Sequence, residues 1–175
     1  MAQIVIDFLQ GVDRLSQLIS WFGQGPGGYS HAASVLKDGR YLDARDDRIG
    51  SVPAGVHIRD PAKEKWAKKV RASLEVTDAE YESWESSLRA KITDGYARGD
   101  ILSFIFNRDL HVNGTYDCSE LAINAVQHVS RSWQPGHLGY VPFPLPVPAN
   151  RITPNAALLI VATAGFTIGA VEVAP

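Results

Sequence analysis

The sequence predicts an α+β domain that begins with a strand and a helix, continues with several strands and ends with helices. Two observations support this prediction. Apolar residues alternate with period two in several short segments of the first half, and N-cap signals precede helical periodicity in the second half. At 175 residues, of which 45% are hydrophobic and 21% charged, the chain can bury a real core. We therefore expect a single domain over residues 1–175.

The predicted sheet occupies much of the first half of the chain. Gln3 to Phe8 reads as the first strand, and Asp13 is placed to cap a helix that ends near Trp21. The glycine-rich segment GQGPGG then forms a loop. The segment YSHAASVLKDGRYLDAR predicts two short strands around an Asp-Gly turn. Val56 to Arg59 and the alternating segment Lys69 to Val76 add two further strands.

Capping signals predict the helices of the second half. Thr77 and Glu80 have the spacing of a capping box, which opens a helix to about Ile92. Asp117 has the same spacing to a glutamate and opens a helix to about Val129. The remaining predicted elements are a short helix after Tyr96, an extended proline-rich wrap from Gln134 to Ala149, and a final helix with Thr153 as N-cap and Pro154 as its first residue.

Composition and charge exclude several classes of function. The formal net charge is -2 and the Lys and Arg residues are scattered, so we expect no nucleic-acid partner. The longest apolar stretch, Ala156 to Val171, is short for a membrane span and predicts a core helix followed by a strand. The N-terminal MAQIVIDFLQGVD has no positively charged start, so it predicts a strand and not a signal peptide. We therefore expect a cytoplasmic protein, with delivery to the envelope by another route left open and the oligomeric state undetermined.

The single cysteine, Cys118, is the main candidate for chemistry. If Asp117 is the N-cap, Cys118 occupies the first helical position, where the helix dipole and unpaired backbone N–H groups favour a thiolate. A free cysteine is more often a small buried hydrophobic residue. The charge of Asp117 opposes ionisation of the thiol, so catalysis requires a base from elsewhere in the chain.

His31 is the candidate base. It begins a predicted strand directly after the glycine-rich loop, where a side chain can be held rigidly beside a cleft. His128 lies ten residues along the helix from Cys118 and, at about 1.5 Å per residue, cannot reach the sulfur. The other histidines lie in polar or loop segments and are expected to face solvent: His57, His111 and His137.

Strand register decides which carboxylate can orient His31. A two-residue DG loop places Asp46 opposite His31 and turns Asp43 to the other face of the sheet. A three-residue KDG loop puts Gly39 in the left-handed position of a bulged turn. Asp43 then lies opposite Ala33, diagonal to His31 on the same face. The residues alone leave both registers open.

Together, YSHAASVLKDGRYLDA and YDCSEL resemble the circularly permuted papain-fold amidases of the NlpC superfamily, the YiiX/YaeF-like proteins and the related lecithin:retinol acyltransferase group. In that permuted group the histidine strand precedes the cysteine helix, as His31 precedes Cys118 here. The family's third polar residue falls about twelve positions after its histidine, which matches Asp43. The segments TDAEYESWESSLRAKITDGYARGDIL and RITPN are also similar to family elements, although the family's Gly-Tyr is frequently followed by Asp and not by Ala97.

The resemblance implies a permuted papain-like domain in which an antiparallel sheet packs against the helix that carries the cysteine. It implies a cysteine hydrolase that cleaves a peptide, another amide or an acyl bond through Cys118, His31 and Asp43, without a cofactor. The second oxyanion donor is not identifiable, and Tyr29 and Tyr116 are candidates. The alternative is a non-catalytic binding or structural module of the same fold in a phage or cell-envelope assembly. A metal site that uses Cys118 is disfavoured because no C-x-x-C or H-x-x-x-H spacing is present.

Overall fold

A computed structural model describes residues 1–12, 28–47, 51–96, 115–141 and 152–174. Within these ranges the chain is α+β, as predicted, with three α-helices and a mainly antiparallel set of strands. The strands are β1 (Ala2–Gly11), β2 (His31–Val35), β3 (Tyr41–Arg45), β4 (Gly55–Arg59), β5 (Trp66–Val76), β6 (Gly95–Tyr96), β7 (Thr115–Tyr116), β8 (Thr167–Ile168) and β9 (Glu172–Val173). The helices are α1 (Asp78–Arg89), α2 (Cys118–Ser130) and α3 (Pro154–Thr163), and a 3₁₀ turn spans Pro61–Lys63.

The main sheet has seven strands in the order β4-β3-β2-β1-β5-β8, and β9 also pairs with β5. All of its recorded pairings are antiparallel. The strands β6 and β7 form a separate parallel pair of two residues each. The central strands β1 and β5 are long, and β2 and β3 extend the sheet on the side where the histidine lies.

The helices begin where the capping signals predict. Thr77 accepts a hydrogen bond from the Glu80 backbone N–H while the Glu80 side chain accepts from the Thr77 backbone N–H, which completes the capping box of α1. Asp117 caps α2 by accepting from the Glu120 N–H at 2.7 Å. Thr153 caps α3 in the same way, with Pro154 at its first position. The predicted helix after Asp13, the helix after Tyr96, most of the glycine-rich loop and residues 142–149 of the proline-rich wrap lie outside the described residues. The described part of that wrap, residues 134–141, forms consecutive turns and not the extended segment predicted, because the His137 and Tyr140 N–H groups bond to carbonyls three residues earlier.

All three helices contribute to one hydrophobic core with strands β1 to β5. The aromatic residues Tyr81 and Trp84 of α1 and residues such as Ile123 and Val126 of α2 are almost fully buried in it. Because α2 is buried on most of its circumference, its N-terminal turn has a fixed position against the sheet. This packing brings Cys118 to β2 and β3.

The turn between β2 and β3 is the bulged three-residue form. Ser34 pairs with Leu42 and Val35 with Tyr41, and the Leu36 N–H donates to the Arg40 carbonyl at 2.9 Å. Gly39 has a φ of +81°, the left-handed conformation that glycine adopts without a Cβ penalty. The structure thus selects the register that places Asp43 on the face of His31.

The apolar C-terminal stretch divides between α3 and β8, as predicted for a core helix followed by a strand. In the part of the chain that the structure describes, no helix combines the length and the hydropathy that a membrane crossing requires.

Candidate active site

His31 and Asp43 form a buried, hydrogen-bonded pair across β2 and β3. The His31 Nε2 atom lies 2.7 Å from Oδ2 of Asp43, and the Asp43 side chain is completely buried. His31 is the first residue of β2 and is 8% exposed, so its ring sits at the end of the strand without leaving the protein interior. Since Nε2 faces the carboxylate, Nδ1 is the ring nitrogen available to a second partner.

Arg59 holds the other oxygen of the same carboxylate. Its Nη1 donates to Oδ1 of Asp43 at 2.6 Å, and both side chains have no solvent exposure. The Arg59 Nη2 group donates to the carbonyls of Pro53 and Gly55, each at 3.0 Å. Arg59 pairs with Tyr41 in the β3–β4 ladder, which places it diagonally across from Asp43 on the same face. The guanidinium is therefore fixed at several points.

Cys118 lies at the first position of α2, where its sulfur meets several polar groups. The charge of His31 and the backbone N–H of Ala32 both act on the sulfur and lower the pKa of the thiol. The Ser119 hydroxyl lies 3.9 Å from the sulfur. Although Cys118 is only 5% exposed, its surroundings are polar and basic, unlike those of an inert cysteine in an apolar core.

The electrostatics of the pair favour a thiolate next to an imidazolium. Burial alone lowers the pKa of His31, but the charge of Cys118 and the hydrogen bond to Asp43 outweigh it and raise the pKa to about 10. Burial likewise raises the pKa of the Cys118 thiol, yet the His31 charge and the hydrogen bonds to the sulfur lower it below 9.0. The Asp43 pKa is lowered by its contacts with His31 and Arg59, which exceed the opposing effect of burial.

Tyr96 is a further polar residue at the site. It ends β6, which runs beside the strand that leads into α2. Burial raises its pKa well above 10.0, and the negative charges of Cys118 and Asp117 raise it further. These charge effects mark Tyr96 as a candidate neighbour of the sulfur. The sequence signal for it was the Gly95-Tyr96 dipeptide, which carries part of the family resemblance, whereas Arg59 becomes visible only once the β3–β4 register is known.

The two tyrosines considered as oxyanion donors have other partners. The Tyr29 ring packs edge-on against Phe8 at 6.4 Å and lies under the Lys68 ammonium. The Tyr116 ring lies under the Lys91 ammonium at 5.0 Å, and it lines a cavity of about 320 Å³ between α1 and α2 that does not include Cys118. These contacts favour Tyr96 over both residues.

The remaining sequence candidates lie away from the sulfur or outside the described residues. His128 is exposed in the last turn of α2, as expected for its place in the sequence. His137 is exposed and stacks on Trp133, whereas His57 is partly buried on β4 and is less solvent-facing than the sequence indicated. His111 lies outside the described residues. Asp46 follows β3 and is not the carboxylate bound to His31.

No group of three His, Cys, Asp or Glu side chains suited to a metal ion occurs among residues 1–12, 28–47, 51–96, 115–141 and 152–174. The chain matches no protein-family model and no curated protein. The features of the chain that bear on its function are the α+β fold, the cysteine at a helix N-terminus and the histidine that is hydrogen-bonded to a buried carboxylate.

Proposed function

We propose that this chain is a cysteine hydrolase of the permuted papain type, with Cys118 as nucleophile, His31 as base and acid, and Asp43 as the residue that orients the imidazole. The observation that carries the proposal is the buried hydrogen bond from His31 to Asp43, next to a helix whose first residue is Cys118. The charges of Cys118 and His31 shift the pKa of each other's side chain, which supports their assignment as nucleophile and base. A nucleophile, a base and a group that orients the base are what covalent hydrolysis requires. The order of the residues, with the histidine strand 87 positions before the cysteine, supports the permuted form.

The proposed reaction begins with the thiolate, whose proton is held on His31. The sulfur attacks the carbonyl carbon of an amide or ester, and the carbonyl oxygen becomes an oxyanion. The Cys118 backbone N–H at the start of α2 is one donor for this oxyanion, and the Tyr96 hydroxyl is the second candidate. His31 then protonates the departing amine or alcohol. Water, deprotonated by His31, hydrolyses the acyl-enzyme and frees the sulfur.

The substrate class follows less directly from the site. Both Cys118 and His31 are largely buried. A narrow site of this kind suits a carbonyl group near the end of a substrate molecule better than a bond in the middle of a bulky substrate. We favour a peptide or another amide, including cell-wall peptides, over an acyl lipid.

The first test is the reactivity of the single thiol. Iodoacetamide is expected to alkylate Cys118 much faster than a free cysteine near neutral pH, because a larger fraction of the sulfur is ionised. His31→Ala removes the imidazolium and should return the rate to that of an ordinary buried thiol. His128→Ala is the matched control, since it removes an exposed histidine from α2, the helix that carries Cys118.

The same experiment decides between the enzyme and the non-catalytic module. A wild-type thiol that reacts no faster than His31→Ala would contradict the hydrolase and leave a binding or structural role for the fold. A reactive thiol leads to the second test, a screen of acyl-amide and acyl-ester substrates for turnover that is lost in Cys118→Ala.

A further inference from the structure

Arg59 is a fully buried charged group beside the site, and the proton-transfer steps above do not use it. Its side chain and that of Asp43 each have no solvent exposure, although an unpaired charge in this environment would be strongly destabilising. The guanidinium is tied to Asp43 and to two carbonyls near the start of β4. Stability alone does not explain a buried ion pair of this kind, since apolar residues in its place often stabilise a core equally well.

The formal charges of four side chains, Arg59, Asp43, His31 and Cys118, give such a reason. Other charges lie around them and are unchanged in every variant compared below: Arg45 with its partners Glu64 and Asp47, and Asp117 at the N-cap of α2. Without Arg59, the charge of Asp43 would by itself balance an imidazolium on His31, and the thiol would gain nothing from ionising. With Arg59 bound to Asp43, the positive charge of the guanidinium already offsets the negative charge of the carboxylate. The positive charge of the imidazolium is then offset only when Cys118 is a thiolate. A buried set of charges is most stable when its sum is zero.

We propose that Arg59 is a positioning residue that holds Asp43 in place and takes up its charge, so that the Cys118–His31 pair stays ionised. This inference rests on the proposed function and concerns the control of the same site. The rigid fork of the guanidinium suits the role because it bonds Oδ1 of Asp43 and the carbonyls of Pro53 and Gly55 at once. The other oxygen of Asp43 is then left to face His31.

The test is the pH profile of iodoacetamide alkylation in the full-length chain. Arg59→Gln keeps a hydrogen-bond donor near Asp43 but removes the charge. We expect it to raise the apparent pKa of the thiol by about one unit, which slows alkylation about tenfold at pH values below that pKa. Arg59→Lys keeps the charge and should retain a profile close to that of the wild type.

Arg71 provides a matched control on the same sheet. It forms a two-point ion pair with the fully buried Asp7, at 2.7 and 2.8 Å, and this pair contacts Tyr41 and not His31. Arg71→Gln therefore removes an arginine from another buried carboxylate, and we expect it to leave the alkylation profile unchanged.

The outcomes separate this inference from the proposed function. A slow wild-type thiol refutes the hydrolase and the role of Arg59 together. A fast wild-type thiol with an unchanged Arg59→Gln profile, or with an equal shift in Arg71→Gln, refutes only the role of Arg59. If Arg59→Gln does not fold, Arg59→Lys decides, because a folded lysine variant with a thiol pKa raised by about one unit contradicts the inference.

Discussion

The Nε2 atom of His31 lies 2.7 Å from Oδ2 of Asp43, while Nη1 of Arg59 lies 2.6 Å from the other oxygen of that carboxylate. Each oxygen of Asp43 therefore has its own hydrogen-bond partner. The carboxylate cannot exchange its oxygens without breaking two charge-assisted hydrogen bonds. This arrangement makes the orientation of the imidazole depend on the identity of residue 43.

Asp43→Asn should abolish most of the activity while keeping the shape of the side chain. Because Arg59 needs an oxygen acceptor, the amide nitrogen of the replacement would face Nε2 of His31. The neutral imidazole would then carry its proton on Nδ1, the nitrogen that faces Cys118. The ring would therefore offer the thiol no basic nitrogen. We expect turnover to fall by about 10⁴-fold, as for the equivalent change in other triads.

Asp46→Asn is the control for that experiment, because Asp46 is the carboxylate of the rejected register. It should retain near wild-type turnover of any substrate found in the screen. Equal losses in the two variants would mean that Asp43 has no special relation to the imidazole.

Tyr96→Phe should separate oxyanion stabilisation from thiol activation. Removal of the hydroxyl is expected to lower kcat by about 10²-fold or more, the usual effect of losing one oxyanion donor. Alkylation by iodoacetamide forms no oxyanion, so its rate should change little. Kinetics of both reactions check this expectation, and Tyr116→Phe serves as the control because its ring lies under Lys91. If Tyr96→Phe slows alkylation as much as it slows turnover, the hydroxyl stabilises the thiolate and not the oxyanion.

The ionised pair predicts a pH window for stability. The raised pKa of His31 contributes stability that is complete below pH 6.5 and is lost as the pH rises through about 10. The lowered pKa of Cys118 contributes stability that is complete above pH 9.0 and is lost as the pH falls through its value in the folded protein. Above pH 9.0 the contribution of Cys118 is complete, so the sum of the two declines as the pH rises through the His31 pKa of about 10.

Thermal unfolding measured against pH tests this expectation. The Tm difference between the wild type and the double variant Cys118→Ala, His31→Gln should shrink as the pH rises from 9.0 through about 10. A difference that keeps growing as the solution becomes more alkaline would contradict an imidazolium partner for the sulfur.

The turn that sets the β2–β3 register depends on Gly39. Its φ of +81° is costly for residues with a Cβ, although no atom lies within 4 Å of the position that a Cβ would occupy. Gly39→Ala should therefore lower the free energy of unfolding by roughly 1–2 kcal/mol through backbone strain alone. Gly39→Asn should cost less, because asparagine tolerates the left-handed region. Chemical denaturation measures both, and equal losses would argue against strain as the cause.

The sequence could predict elements whose signals are local. The capping box at Thr77 and Glu80, the cap at Asp117 and the Thr153-Pro154 start each depend on side chains within one helical turn of their partners. The alternation in β1 and β5 likewise follows from neighbouring residues. The pairing of His31 with Cys118 could be proposed because the two segments together carry a family resemblance.

Tertiary structure decided the relations that depend on register and packing. The strand pattern alone left both Asp43 and Asp46 open as the partner of His31, and only the family resemblance favoured Asp43. A difference of one residue in a turn determined which of them shares a face with His31. Arg59 joined the site only because β4 pairs with β3. Tyr96 reached it because a short parallel strand pair lies beside the start of α2. Local patterns encode each element, whereas contacts between distant segments depend on how a whole core packs, which no single segment specifies.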